Sequence, residues 1–273
     1  MNTMLYDRDY RILTKEEEIL WRKAEDNLNK SKNNGIIASI SATNKYYEDI
    51  PHAVLHYQQL FPNNYLNVRD LAKKEYENTV KEFEQIFESK ISERDVLNFI
   101  RKNKAYFIVA SILKSQHYLF GHHGAFAFKE FELPPNYLVD YLLIGKNSGG
   151  YEFIFVELEN PYGQITTNNG EFGTTIRKGI KQLNDWDKWL EANYYSLRLV
   201  FDKYIGKTEQ LPREFHEFDK SRMHFVVIAG RRKDFNENTY QLRRRLLKSN
   251  NILLLHYDNL FDSAKRLLHA GNY

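Results

Sequence analysis

Near residue 104 the spacing of apolar side chains shortens, and no other feature of the sequence restricts the fold as much. Ahead of that point the pattern is helical. Thr14 with Glu17 three residues on is a capping-box signal for a helix over about 15–31, and Asn33-Asn34-Gly35 ends it. The segment 35–43 is small and polar and reads as a linker or a short strand. A second helix is expected over about 47–60, stopped by Phe61-Pro62-Asn63-Asn64. A third, over about 68–89, carries Leu71, Tyr76, Val80, Phe83 and Phe87 on one face. Ser92 with Asp95 opens a shorter helix through about Asn103.

Beyond residue 104 strands and helices alternate. Residues 125–132 alternate as a half-buried strand does. The apolar runs 138–144 and 151–157 flank Gly145-Lys146-Asn147-Ser148-Gly149-Gly150, which predicts a hairpin with a loose loop. A long helix is expected over 173–193, where Ile176, Ile180, Leu183, Trp186 and Leu190 recur at helical spacing. A strand at 225–229, a helix at 236–249, a strand at 251–256 and a helix at 258–269 complete the chain. This order predicts a helical N-terminal region over 1–90 followed by an α/β domain over 91–273.

Composition removes several classes of function. With 42% hydrophobic and 27% charged residues the chain is not disordered. It has no cysteine, which excludes disulfides, cysteine-bound zinc, iron–sulfur clusters and a thiol nucleophile. No apolar run approaches the ~18 residues of a membrane span, and the first residues, MNTMLYDRDYRILTKEEE, contain no signal-peptide core. A cytoplasmic protein is expected. The net charge of +3 is too small to identify a nucleic-acid partner.

Three acids carry the chemistry. Asp140 lies within an apolar strand, in NYLVDYLLI, and Glu157 and Glu159 end the next, in FIFVELENP. Residues two apart on a strand share a face, and Asn160-Pro161 then stops the strand. In a hairpin Asp140 approaches the pair. Three carboxylates on one rim suit Mg²⁺ or Mn²⁺, which activates water and offsets charge at a phosphodiester. Two acids at a strand end are more often a solvated edge; the acid inside the strand is what favours a metal, because a buried carboxylate is costly alone. On the next helix Lys178 and Gln182 are four apart and share a face, so a cation and an amide can meet the acids.

An aspartate in a strand, then Glu-x-Lys ending the next strand, then a helix bearing Gln, is the layout of the PD-(D/E)XK nuclease superfamily, which this chain resembles. More narrowly it resembles the Shedu family of bacterial phage-defence nucleases. The resemblance rests on SERDVLNFIRKN, YLVDYLLI, FVELENP, GIKQLNDWDKWL, FVVIAGRR and LLLHYDNL, in that order, across about residues 91–270. It implies a restriction-endonuclease-like core, a mixed sheet flanked by helices, behind a regulatory or assembly region. It implies metal-dependent DNA cleavage, with Asp140 and Glu157 as metal ligands and Gln182 orienting the water or a ligand. The sequence departs from the pattern at Glu159, where the superfamily most often has lysine. Glu159 then becomes a third metal ligand and Lys178 supplies the missing cation from the helix. DNA and further copies of the chain are the expected partners, with no membrane.

Basic residues agree with that reading. Arg231-Arg232-Lys233 follow the late strand and are the candidate DNA contacts, and Arg243-Arg244-Arg245 stud the next helix. The competing interpretation is a non-catalytic DNA-binding or assembly module that kept the fold. A glycosidase using paired acids fits poorly, because no loop aromatics suggest a sugar site.

Overall fold

A computed structural model describes residues 5–33, 49–67, 74–118, 120–270 and 272–273. Its centre is a mixed sheet of five strands in the order β1-β2-β3-β4-β5. The strands are β1 (Gly124–Leu133), β2 (Tyr137–Asn147), β3 (Gly150–Leu158), β4 (Met223–Ile228) and β5 (Ile252–Leu255). The first three form an antiparallel meander, and β4 and β5 then run parallel to β3. Parallel neighbours need crossover helices. Here α6 (Thr174–Asn193) joins β3 to β4, and α8 (Glu237–Asn250) joins β4 to β5.

Alternation along the strands divides the core into two layers. Tyr141, Leu143, Ile154, Val156, Val226 and Ile228 point to one face. They meet Val80 and Phe83 of α3 (Lys74–Gln85), Ile100 of α4 (Glu93–Lys102), Ile108 of α5 (Tyr106–Ala110) and Phe261 of α9 (Tyr257–Ala270). Leu142, Ile144, Phe153, Phe155, Phe225 and Val227 point the other way, onto Ile176, Leu183, Trp186 and Leu190 of α6 and Phe201 of α7 (Leu197–Phe201). The chain is thus α/β, a five-stranded mixed sheet flanked by helices and preceded by a helical region containing α1 (Lys15–Asn33) and α2 (Pro51–Gln58). The N-terminal region is stitched to the sheet edge: Leu66 N donates to Ala125 O at 2.8 Å, and Tyr6 Oη donates to Ala127 O at 3.0 Å. Among the described residues no helix is long and apolar enough to cross a membrane.

Most expected elements form close to their expected bounds. The Thr14/Glu17 box closes α1, with Glu17 N donating to Thr14 Oγ1 at 3.2 Å and Thr14 N to Glu17 Oε2 at 2.8 Å. Ser92 and Asp95 do the same for α4. Of the helix expected over 47–60, the described part includes Pro51–Gln58, with Pro51 in its first turn, where a missing N–H costs nothing. Residues 35–43, 47–48 and 68–73 lie outside the described residues.

The loose hairpin loop is a correction. Gly145, Lys146 and Asn147 are strand, pairing with Glu152, Tyr151 and Gly150, so only Ser148-Gly149 turn. Polar composition suggested a loop, but a backbone ladder needs no apolar side chain. Gly145 is required there for contact: a Cβ would lie 2.6 Å from Phe120 Cβ. The sequence also hid α5, which is buried on all sides and so has no polar stripe to give it a period.

Candidate active site

Glu157 and Glu159 point from the end of β3 toward the α6 face. Parallel pairing holds their backbone: Glu157 lies opposite Val227, and Glu159 N donates to Ile228 O at 2.8 Å. Tyr257 Oη donates to Glu159 O at 2.8 Å from the other side. The sequence placed both acids at an open strand end. Instead both acids are only 2% exposed, because α6 lies across them. Gly179 makes that approach possible. A Cβ at this position would stand 2.4 Å from Val227 Cγ2 and 3.1 Å from Glu159 Cγ.

Asp140 joins them through an unusual strand end. The β2–β3 ladder stops at the Tyr141–Val156 pair. One step further the Asp140 side chain takes over, its Oδ2 accepting from Leu158 N at 2.8 Å. Across β1, the Lys129–Tyr141 and Phe131–Val139 pairs keep register, while Glu130 and Asp140 between them form no ladder pair. Glu130 adopts a left-handed φ of 48°. Side-chain alternation slips here: Phe126, Phe128, Phe131 and Leu133 all enter the same core layer.

A fourth carboxylate escaped the sequence reading. Glu93, the first residue of α4, brings Oε2 within 3.9 Å of Lys178 Nζ and acts electrostatically on Asp140, Glu157 and Glu159. Its only signal was its place in SERD, where an acid reads as ordinary helix-start chemistry. Lys178 does reach the acids, donating from Nζ to Glu159 Oε2 at 3.0 Å. Gln182 is half-buried one turn further along α6 and makes no side-chain hydrogen bond among the described residues.

This set is short of positive charge. Glu157 Oε2 and Glu159 Oε1 are buried with no hydrogen-bond partner. Burial first, and then neighbouring carboxylates, push Asp140, Glu157 and Glu159 above the usual carboxylate range. At Glu159 burial outweighs the Lys178 hydrogen bond. At the more exposed Lys178 burial loses, and the acids raise its affinity for its proton. Among the described residues no group of three or more His, Asp or Glu side chains stands in ion-holding geometry. Even so, the donor set suits a hard cation: carboxylate oxygens only, two of them desolvated and unsatisfied. Asp140 and Glu157 would hold it, with Glu159 as a third donor.

The basic turn is less free than expected. Arg231 is held in the fold: Nε and Nη2 donate to Asp258 at 3.1 and 2.9 Å, and its guanidinium stacks 4.9 Å from the Phe87 ring centre. Arg232 pairs with Asp262 and stays half-exposed. Lys233 is exposed.

A family model described as Shedu protein SduA, C-terminal, matches residues 90–261. No curated protein matches the chain.

Proposed function

The chain belongs to the Shedu family, a membership that suggests a role in phage defence, and from that premise we propose that it is a metal-dependent DNA endonuclease or nickase. One observation carries the reading. Asp140, Glu157, Glu159 and Glu93 converge on one partly buried place served by one lysine, and two of their oxygens are left without a partner. Buried carboxylates without counter-charge are costly, and such sites are where function tends to lie.

Bound there, Mg²⁺ or Mn²⁺ would supply Lewis acidity toward water and phosphate. The chain's own groups do the rest. Water oxygen adds to phosphorus, one P–O ester bond breaks, and the products are a phosphate monoester and a hydroxyl. The proton that water loses passes to the leaving ester oxygen, which departs as the hydroxyl. Lys178 Nζ holds positive charge beside the developing negative charge. Gln182 orients the attacking water from the next turn of α6.

A specific feature favours a second reading, a lapsed nuclease that still binds DNA or assembles: a glutamate, Glu159, occupies the usual lysine position. Incubation of supercoiled plasmid with Mg²⁺, Mn²⁺ or EDTA separates the two. Nicking that needs metal and disappears in Glu157→Gln supports the enzyme. DNA binding without cleavage under either metal establishes the second.

A further inference from the structure

Beside the acids lies a cavity of about 220 Å³ between α4 and the β1–β2 hairpin, with Asp140 in its wall. Arg94, Asn98 and Arg101 line it from α4, at positions that share one helix face. Lys129 and Glu130 line it from β1, where the slipped alternation described above turns them outward. Tyr106 and Tyr141 also line it, both buried. Lys129 Nζ lies 4.5 Å from the Tyr6 ring centre and 5.9 Å from that of Tyr106. Arg101 donates to Asn98 Oδ1 at 2.7 Å.

These cations lie together on one cavity wall beside Asp140 without acidic partners of their own. Among the described residues Arg94, Arg101 and Lys129 form no ion pair. By contrast Lys178, Arg231 and Arg232 are each tied to a carboxylate. Unpaired cations gathered on one cavity beside a site for phosphodiester chemistry have a natural counter-ion.

We propose that this cleft holds the sugar–phosphate backbone of the DNA strand next to the cleaved bond, with Arg94, Arg101 and Lys129 on its phosphates. The inference rests on the nuclease reading for the identity of the partner. Seven residues of helix separate Arg94 from Arg101, a rise of ~10.5 Å. That separation lets the two guanidiniums meet different phosphates of one strand lying along α4, beside Asp140. The proposal puts the main DNA track over α4, whereas two of the three basic residues of the 231–233 turn are held by Asp258 and Asp262.

The test is the salt dependence of binding to a labelled duplex in EDTA, where nothing is cut. Each lost phosphate contact flattens the slope by ~0.9. The exposed pair Arg94→Gln/Arg101→Gln should flatten it by ~1.8. Between 50 and 200 mM salt that removes ~12-fold of the wild-type fall in affinity. Thermal melting should be unchanged. Adding Lys129→Gln should extend the loss to ~2.7. The comparison variant Arg232→Gln/Lys233→Gln should flatten the slope less than the α4 pair. A salt-dependent wild type with an unchanged α4 pair overturns the cleft and leaves the nuclease reading standing. Wild type that binds no DNA overturns both. Wild type that binds through the cleft and never cuts supports the cleft and removes the nuclease.

Discussion

Glu157→Gln should stabilise the protein in EDTA and destabilise it, relative to wild type, in Mn²⁺. Glu157 is 2% exposed, and its Oε2 has no hydrogen-bond partner. Burial raises its proton affinity above that of the unfolded chain, with Asp140 and Glu159 adding to the effect. The native state therefore holds an extra proton above the ordinary value of 4.5, and stability falls as pH rises from there. An uncompensated buried polar group costs ~1–3 kcal/mol, and more when charged. The neutral amide removes that penalty, and neighbouring carboxylates offer its N–H groups acceptors. At pH 8 the variant should be ~1–3 kcal/mol more stable than wild type, at roughly 2–4 °C of melting temperature per kcal/mol. By pH 4 the difference should vanish, because wild-type Glu157 is then protonated in both states. Metal reverses the order: at a hundredfold excess over Kd it adds ~2.7 kcal/mol to wild type, and the variant should gain little. The assay is thermal melting from pH 4 to pH 9 with EDTA or Mn²⁺. A variant less stable than wild type by the same amount at every pH, or equal gains from Mn²⁺ in both proteins, would refute the reasoning.

Other substitutions probe neighbouring parts of the site. Lys178→Ala should lower plasmid nicking by ~10²–10³-fold, the scale of one lost electrostatic contact, while the Mn²⁺ melting shift persists; undiminished nicking would remove Lys178 from the chemistry. Gly179→Ala should cost ~1–3 kcal/mol by overpacking against Val227, and differential scanning calorimetry reads this as a lower melting temperature. Arg231→Ala should cost ~1–3 kcal/mol through lost bonds to Asp258 and change the salt slope of DNA binding by well under one; a full unit would make it a phosphate contact after all.

The fold was legible wherever one face of an element is buried and the other wet. The alternation of β1 and the helical spacing of Ile176, Leu183, Trp186 and Leu190 each announced a layer of the core. Where that contrast is missing the sequence is silent. The residues of α5 are buried all round, and Gly145-Lys146-Asn147 carry strand hydrogen bonds on polar residues. The site was legible in part for a related reason. An aspartate inside an apolar run is conspicuous, and Glu157 and Glu159 follow from the two-residue period. Glu93 was not legible, because an acid at a helix start has an adequate local explanation. Nor was the burial of the strand-end acids, which depends on Gly179 letting α6 press against β4.

That same glycine gives Glu159 its cationic partner. With α6 drawn in at Gly179, the preceding residue is carried to Glu159, and Lys178 Nζ reaches its carboxylate from the helix side. A lysine at position 159 would extend from the same buried strand end toward a place Lys178 already serves, and two ammonium groups there would repel. The glutamate and the helix lysine are therefore one arrangement. Yet one lysine does not neutralise four carboxylates, and Lys178 keeps 60% of its side chain exposed while sharing itself between Glu159 and, at 3.9 Å, Glu93. Without a further cation, burial and the neighbouring carboxylates favour the protonated forms of Asp140 and Glu157. The acid–base state of this site is therefore linked to any cation it takes: a cation bound there would displace protons that burial favours on Asp140 and Glu157.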